Sequence, residues 1–407
     1  MPTERDRAAR RRRQSAAYRR WRFAIAAVCA IVALGAGIVV GRNVDGGHPP
    51  SPRQATRQQV KHQREEQPVH FTVSASGDLL IHSPVWERAL ALGGGGHYDF
   101  APELAELRPY VADASLGICH VETPMTPAPP TSYPIFNTPP ALAQGIKATG
   151  WDACDTASNH SLDQGQTGID DTGKALDSAG IEHTGSFPSA KAQRNNTLLR
   201  AKGAKVAFLA YTTDTNGIPP PHPWSVNIAS PDRILAAAKQ AHKEGAEAVI
   251  VNVHWGGEIV PEYQSQPSSG QLALVKKLVA SRFITAVIGQ GPHVVQPIEN
   301  LDDKFVVFSE GNLISNQSPA AGLPASTQDG LVALLHCVAD EHGTRVTDVS
   351  YVPVFVSHPD YTVLPVGPAL KKGEGDATLL RDSYDRTVGV VGTSEHIKPI
   401  PKQLPNG

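Results

Sequence analysis

The sequence predicts an α/β body closed by a C-terminal antiparallel hairpin and preceded by a single N-terminal transmembrane helix. Three observations predict it. Strand-length apolar runs alternate with amphipathic stretches, a late pair of runs flanks a turn, and an uncharged apolar stretch follows an arginine-rich start.

Residues 1–22 hold nine arginines against only Glu4 and Asp6, and the next nineteen residues, 23–41, carry no charge. About 20 apolar residues at 1.5 Å per residue cross a hydrocarbon core of about 30 Å. Flanking arginines stay on the cytoplasmic side, which places the remainder outside the cell membrane. The apolar run is longer than that of a cleavable signal and has only a weak cleavage candidate, so an uncleaved single-pass anchor is expected. A basic nucleic-acid arm leaves the apolar run unexplained. Residues 42–68 are rich in Pro, Gln and charge and cannot bury a core, which marks a solvated, disordered linker.

The folded body is expected to begin at Val69. Strands are predicted at His70–Ser76, Leu116–Val121, Ala153–Ala157, Val206–Tyr211, Ala248–His254, Thr285–Gly289 and Lys304–Ser309. Helices are predicted at Val85–Leu92, Pro102–Tyr110, Pro139–Thr149, Gly168–Ala179, Asp232–Lys243 and Ser269–Ser281. Gly150, Gly180 and Gly245 stand where helix ends take a left-handed residue. The alternation implies βαβ units in a mostly parallel sheet. Gly330–Val338 and Arg345–Val356 flank a turn and form the hairpin, within a β addition covering 319–364. The tail, 365–407, shows no clear pattern.

Hydrophobic residues make up 40% of the 407-residue chain and charged ones 19%, ordinary for a globular body, and the net charge of −2 gives no reason to expect a nucleic-acid partner. Cys29 lies in the apolar run, and Cys119, Cys154 and Cys337 match no zinc spacing. An oxidising compartment would permit a Cys119–Cys154 bridge between neighbouring strands. Small buried apolar residues are the other reading.

Five groups of polar, metal-competent residues follow predicted strands. They are Asp78 with His82; His120 with Glu122; Asn159-His160 with Asp163; His254 with Glu258; and Gln290 with His293. Carboxyl ends of parallel strands share one edge, where ligands bind, so these residues are expected to converge. Mixed oxygen and imidazole donors suit two divalent ions of Mn, Fe or Zn. Glu122 has the type for a bridging carboxylate, Asp78 and His293 for one metal, and Asn159 and His254 for the other. His160 is then free to protonate a leaving group. Asp163 and Glu258 are read as residues that orient ligands, and His82, His120 and Gln290 as further candidates at the same edge. Asn312, after Gly311, reads as a turn residue. No G-x-S-x-G elbow, P-loop or dinucleotide fingerprint is present, and Gly93–Gly96 reads as a flexible loop.

The segments GDLLIH (77–82), CHVETP (119–124), ASNHSLDQG (157–165), NVHWGGE (252–258), GQGPHVVQPIE (289–299) and FSEGNLIS (308–315) resemble, in order, the capsule-synthesis (CapA-type, poly-γ-glutamate) proteins. The resemblance covers about 70–318 and sets the main domain at 69–318. It implies a metallophosphatase-like layered α/β sandwich similar to calcineurin-like phosphoesterases. It also implies a role in capsule or poly-γ-glutamate production at the cell surface, with an anionic polymer or phosphoester as substrate and a synthase or export complex as partner. Family members often carry histidine where this chain has Gln290. A neutral amide is a weaker donor than imidazole, which leaves a hydrolase and a non-catalytic scaffold both open.

Overall fold

The computed structural model describes residues 67–404. The predicted cytoplasmic segment, the membrane anchor and the linker up to residue 66 lie outside the described residues. Among those described, no helix is long and apolar enough to cross a membrane.

The chain enters β1 (Val69–Leu79) and α1 (Ser83–Leu92), then β2 (Leu116–Val121), α2 (Leu142–Thr149), β3 (Ala153–Asp155), α3 (Gly165–Ala179) and β4 (Glu182–Thr184). A second run follows: β5 (Thr197–Ala201), β6 (Ala204–Thr212), α4 (Pro231–Lys243), β7 (Ala248–His254), α5 (Ser269–Val279), β8 (Ala286–Gln290), β9 (Ile298–Leu301) and β10 (Lys304–Val307). The chain then returns through β11 (Asn312–Ile314), the hairpin β12 (Asp329–Asp340) and β13 (Gly343–Val356), and β14 (Val363–Pro365). It closes with α6 (Val366–Lys372), α7 (Ala377–Val391) and β15 (Ile397–Pro399).

These strands form two mixed sheets, not one mostly parallel sheet. The first runs β14-β13-β12-β1-β2-β3-β4, with β11 also on β1 and β15 on β13; the second runs β5-β6-β7-β8-β10-β9. Parallel pairing holds through β1–β4 and from β6 through β8 to β10. Alternate residues build separate cores, because successive strand side chains point to opposite faces. Val73, Ala75 and Ile118 of the first sheet meet Val206, Ile250 and Ile288 of the second in a core between the sheets. Cys119, Val121 and Cys154 face outward, in a core that includes Leu142, Ile146 and Leu176 of α2 and α3. Val249 and Val251 face Ile234 of α4 and Val275 of α5. Strands covered on both faces read as continuous apolar runs, so the sequence does not say which strand belongs to which sheet.

Local chemistry sets the ends. Gly150 and Gly180 close α2 and α3 at φ 111° and 70°, and Gly245 follows α4 at φ 95°. Ser268 and Gln271 form a reciprocal capping box on α5. The predicted helix Pro102–Tyr110 is instead broken into single turns, Ala101–Leu104, Ala105–Leu107 and Arg108–Val111. Pro109 has no N–H to offer the Ala105 carbonyl, which accepts from the Arg108 N–H instead.

The segment from 365 has more order than its sequence suggested. In α7, Leu380, Tyr384, Thr387 and Val391 recur at helical spacing and are buried. Arg386 grips Asp329 of β12 in two parallel bonds of 2.7 and 2.8 Å. Cys119 and Cys154, directly opposed on β2 and β3, are joined by a disulfide, while Cys337 is free and buried.

Glu103 lies buried with neither carboxylate oxygen hydrogen-bonded. Burial pushes its carboxyl from an ordinary 4.5 up to about 9, against the opposing attraction of nearby Arg88, with Asp99 and Asp360 adding smaller repulsions. Such a group binds more protons folded than unfolded, so stability should fall as pH rises through that window. Between pH 6 and 8 the wild type should lose on the order of 2 kcal/mol relative to Glu103→Gln. Thermal melts of both proteins across that range check this; parallel curves would contradict it.

Candidate metal centre

Both sheets bring the carboxyl ends of parallel strands to one place. Register sets Asp78 beside His120 and Asn312, His120 beside Asp155, and His254 beside Gln290. The two edges touch where His254 Nδ1 lies 3.0 Å from His120 Nε2, with their rings stacked at 5.0 Å.

Among the described residues, two groups could hold a metal ion: Asp78, His120 and His254, and Asp78, Glu122 and His293. Within each, the donor atoms all lie within 4.8 Å of one another, and every residue is buried. Asp78 Oδ1 is 3.8 Å from His120 Nε2, and Oδ2 is 3.2 Å from His293 Nδ1. His293 Nε2 stands 3.9 Å from Glu122 Oε1. The carboxylate common to both groups is Asp78, and Glu122 completes one of them. His120 is the histidine grouped with Asp78 and His254.

The donor set fits divalent cations. Asp78 Oδ1 and both oxygens of Glu122 are buried without a hydrogen-bond partner. An unpaired buried carboxylate costs several kcal/mol, which nearby cations would offset. Burial, reinforced by repulsion from Asp78, raises the Glu122 carboxyl above its usual range. Burial disfavours charge on His120, yet Asp155 at 2.7 Å, with Asp78 and Glu122 adding, lifts it to about 9. His254 is driven the other way, by burial and then by the neighbouring imidazoles. Protons held on these imidazoles are the ones cation binding would displace.

Orienting groups surround the cluster. Asp155 Oδ1 holds His120 Nδ1, and its Oδ2 accepts from Asn252 Nδ2 at 2.9 Å. His293 has φ 60°, a left-handed conformation costing about 1–3 kcal/mol. Its Nδ1 sits 3.2 Å from both Asp78 Oδ2 and Asn312 Oδ1, which leaves Nε2 turned to Glu122. Asn312 is thus part of the site and not only a turn residue. Gly291, at φ 103°, has no room for a Cβ, which would come within 3.0 Å of the His254 ring.

The remaining candidates take distinct places. His160 is buried, with Nδ1 2.8 Å from Asp163 Oδ2, and that oxygen also accepts from the Phe136 N–H at 2.7 Å. Asn159 donates to Asn216 at 3.3 Å, and its own Oδ1 is buried without a partner. His82 stands outside both groups, in a cavity wall against the Phe136 ring; burial pushes its imidazole down to about 4. Gln290 is fully buried and donates to Glu310 at 3.1 Å, while its Oε1 has no partner. Burial lifts the Glu310 carboxyl well above its usual value, against the opposing Gln290 bond. Glu258 falls in the short 3-10 turn Gly257–Ile259.

Sequence reasoning missed Asp155, Asn252, Glu310 and Asn312 as site residues. A signal existed for Asp155, an acid at the end of an otherwise apolar strand. A cavity of about 390 Å³ opens beside the cluster, lined by His82, His160 and His293. A larger one of about 490 Å³, lined by Lys174 and His183, includes none of the candidate residues.

The chain is 26% identical over 336 residues to the capsule biosynthesis protein CapA of Bacillus anthracis, covering 80% of this chain and 75% of that protein. It is 26% identical over 216 residues to a probable polyglutamine synthesis accessory protein of Mycobacterium tuberculosis, covering 50% of this chain and 55% of that protein. Among solved structures, the calcineurin-like phosphoesterase YfkN of Bacillus subtilis aligns over 79% of this chain and 98% of its own, at 13% identity and a TM-score of 0.45. The family profile described as bacterial capsule synthesis protein PGA_cap matches residues 72–317, a span containing the whole cluster, and the chain belongs to that family.

Proposed function

We propose that this protein is a membrane-anchored, extracytoplasmic, metal-dependent hydrolase of phosphoester type that acts in assembly of a capsule or poly-γ-glutamate-type polymer. The carrying observation is the pair of three-residue groups sharing Asp78, with carboxylate oxygens left unpartnered in the interior. Asp78, Glu122, His120, His254 and His293 would hold two divalent ions of Mn, Fe or Zn, with the Asn159 oxygen as a further donor. Bound there, the ions supply Lewis acidity and charge neutralisation at a phosphoryl group. Asp163 fixes the His160 ring through Nδ1, which leaves Nε2 to give a proton to the leaving oxygen. His82, held neutral, lines the wall without competing for that proton.

Support for an outward-facing, single-pass protein comes from the nine arginines before the uncharged run 23–41 and from the Cys119–Cys154 disulfide, which suits an oxidising compartment. The partners proposed are the anionic cell-surface polymer or a phosphoester derived from it, and a polymer synthase or export complex.

A second reading is a non-catalytic polymer-binding or export scaffold. Gln290, a neutral amide tied to Glu310, favours it, as does a relative named an accessory protein. To separate the two, the full chain is stripped with a chelator, reloaded with Mn²⁺ or Zn²⁺, and assayed with bis(p-nitrophenyl) phosphate beside elemental analysis. Metal uptake with restored turnover supports the hydrolase. No metal and no stimulated turnover would leave the scaffold.

A further inference from the structure

The cavity beside the cluster is headgroup-sized, at about 390 Å³, which suits a small ligand better than a polymer segment. His82, His160 and His293 line it together with Tyr133, Tyr263 and Glu262. No lysine or arginine is among the lining residues. Phosphate dianions and runs of carboxylate are usually held by arginine or lysine, and here the remaining charged group is itself a carboxylate.

Two details suggest what that carboxylate is for. Tyr133 is 77% exposed although it lines a cavity, so its ring is free to cover a ligand. Tyr263 is held at φ 65°, a costly conformation for an aromatic residue, with its N–H on the Pro292 carbonyl at 2.9 Å. Its hydroxyl accepts from Gln317 Nε2 at 3.4 Å. Glu262 is an exposed carboxylate that shares this lining with two tyrosines, and a cation is attracted both by its charge and by the negative faces of the rings.

We propose that the cavity selects a phosphodiester bearing an ammonium group, with Glu262, Tyr133 and Tyr263 holding the cation while the histidines face the phosphate. The inference rests on the phosphoester reading of the same site. It makes Glu262 a specificity residue, and it turns polymer carboxylates away from the cavity itself.

Calorimetric titration of the metal-loaded full chain tests it. Glycerophosphocholine is compared with diethyl phosphate, which has the same charge on phosphorus and no cation. Glycerophosphocholine should bind about fivefold to tenfold more tightly, as expected for exposed cation–π contacts from two rings beside one carboxylate. Glu262→Gln should bring the ratio of affinities close to one, and Tyr133→Ala should reduce it. Equal affinities in the wild type, a preference that survives Glu262→Gln, or no binding of either compound would overturn the proposal. Dihexanoyl phosphatidylcholine, below its micelle-forming concentration, separates two sources of the same chemistry. Affinity equal to glycerophosphocholine assigns a free headgroup, and tighter binding assigns a lipid. Turnover of bis(p-nitrophenyl) phosphate without ammonium preference would remove this inference and leave the hydrolase standing. Loss of all metal-stimulated turnover would count against the hydrolase alone.

Discussion

Asp78→Asn should lower metal-stimulated turnover by on the order of a thousandfold while leaving the fold intact. Asp78 is the residue common to both three-residue groups, and its two oxygens point different ways, one toward His120 and one toward His293. Asparagine keeps the shape but gives up the charge and one of the two acceptor oxygens. Several kcal/mol of charge stabilisation at about 1.4 kcal/mol per tenfold gives that factor. Stability without metal should change little. Asp78 Oδ1 is buried without a partner while Oδ2 lies 3.2 Å from His293 Nδ1, so removing the charge relieves one cost and gives up one pairing, and the metal-free protein should melt close to wild type. Turnover with added Mn²⁺ or Zn²⁺ and thermal melts in chelator check both halves. A variant that loses activity only because it unfolds would show a lowered melting temperature in chelator, contrary to expectation.

The second large effect belongs to His160. Its ring is pinned by Asp163 at 2.8 Å and packs edge-on against Phe136 at 4.7 Å, so its orientation is set before any ligand arrives. His160→Gln should reduce kcat by about 10²–10⁴ for an alkyl leaving group, the usual range for loss of a positioned acid. The loss should be much smaller for p-nitrophenolate, which leaves without help. Metal content should not change. Equal losses with both leaving groups would assign His160 to binding or metal retention, not to proton donation.

How much of this was legible can be argued from particular residues. Leu116–Val121 and Ala248–His254 form strands at the predicted bounds because their apolar runs are sharply delimited. Asp78, Glu122, His254 and His293 were legible as polar residues breaking apolar strand ends, and the structure brings them together. Their partnering was not legible. His120 and His254 meet across two sheets, 134 positions apart, and no period in the sequence records which edges face each other. The shared role of Asp78 depends on the directions of its two oxygens, which follow from register and not from residue type. Asn312 looked like a turn residue because it follows Gly311; pairing of β11 with β1 turns it toward His293 instead. The helices after 365 were hidden by polar residues on the outer face of α7 and by the glycines at 373, 375 and 392.

Elemental analysis of the full chain, wild type beside His254→Ala and Asp78→Asn, tests the central claim most directly. About two divalent ions per wild-type chain, one fewer in His254→Ala and almost none in Asp78→Asn is the expected pattern for a centre joined through one carboxylate. A wild-type protein that takes up no metal, or the same content in all three proteins, would contradict it.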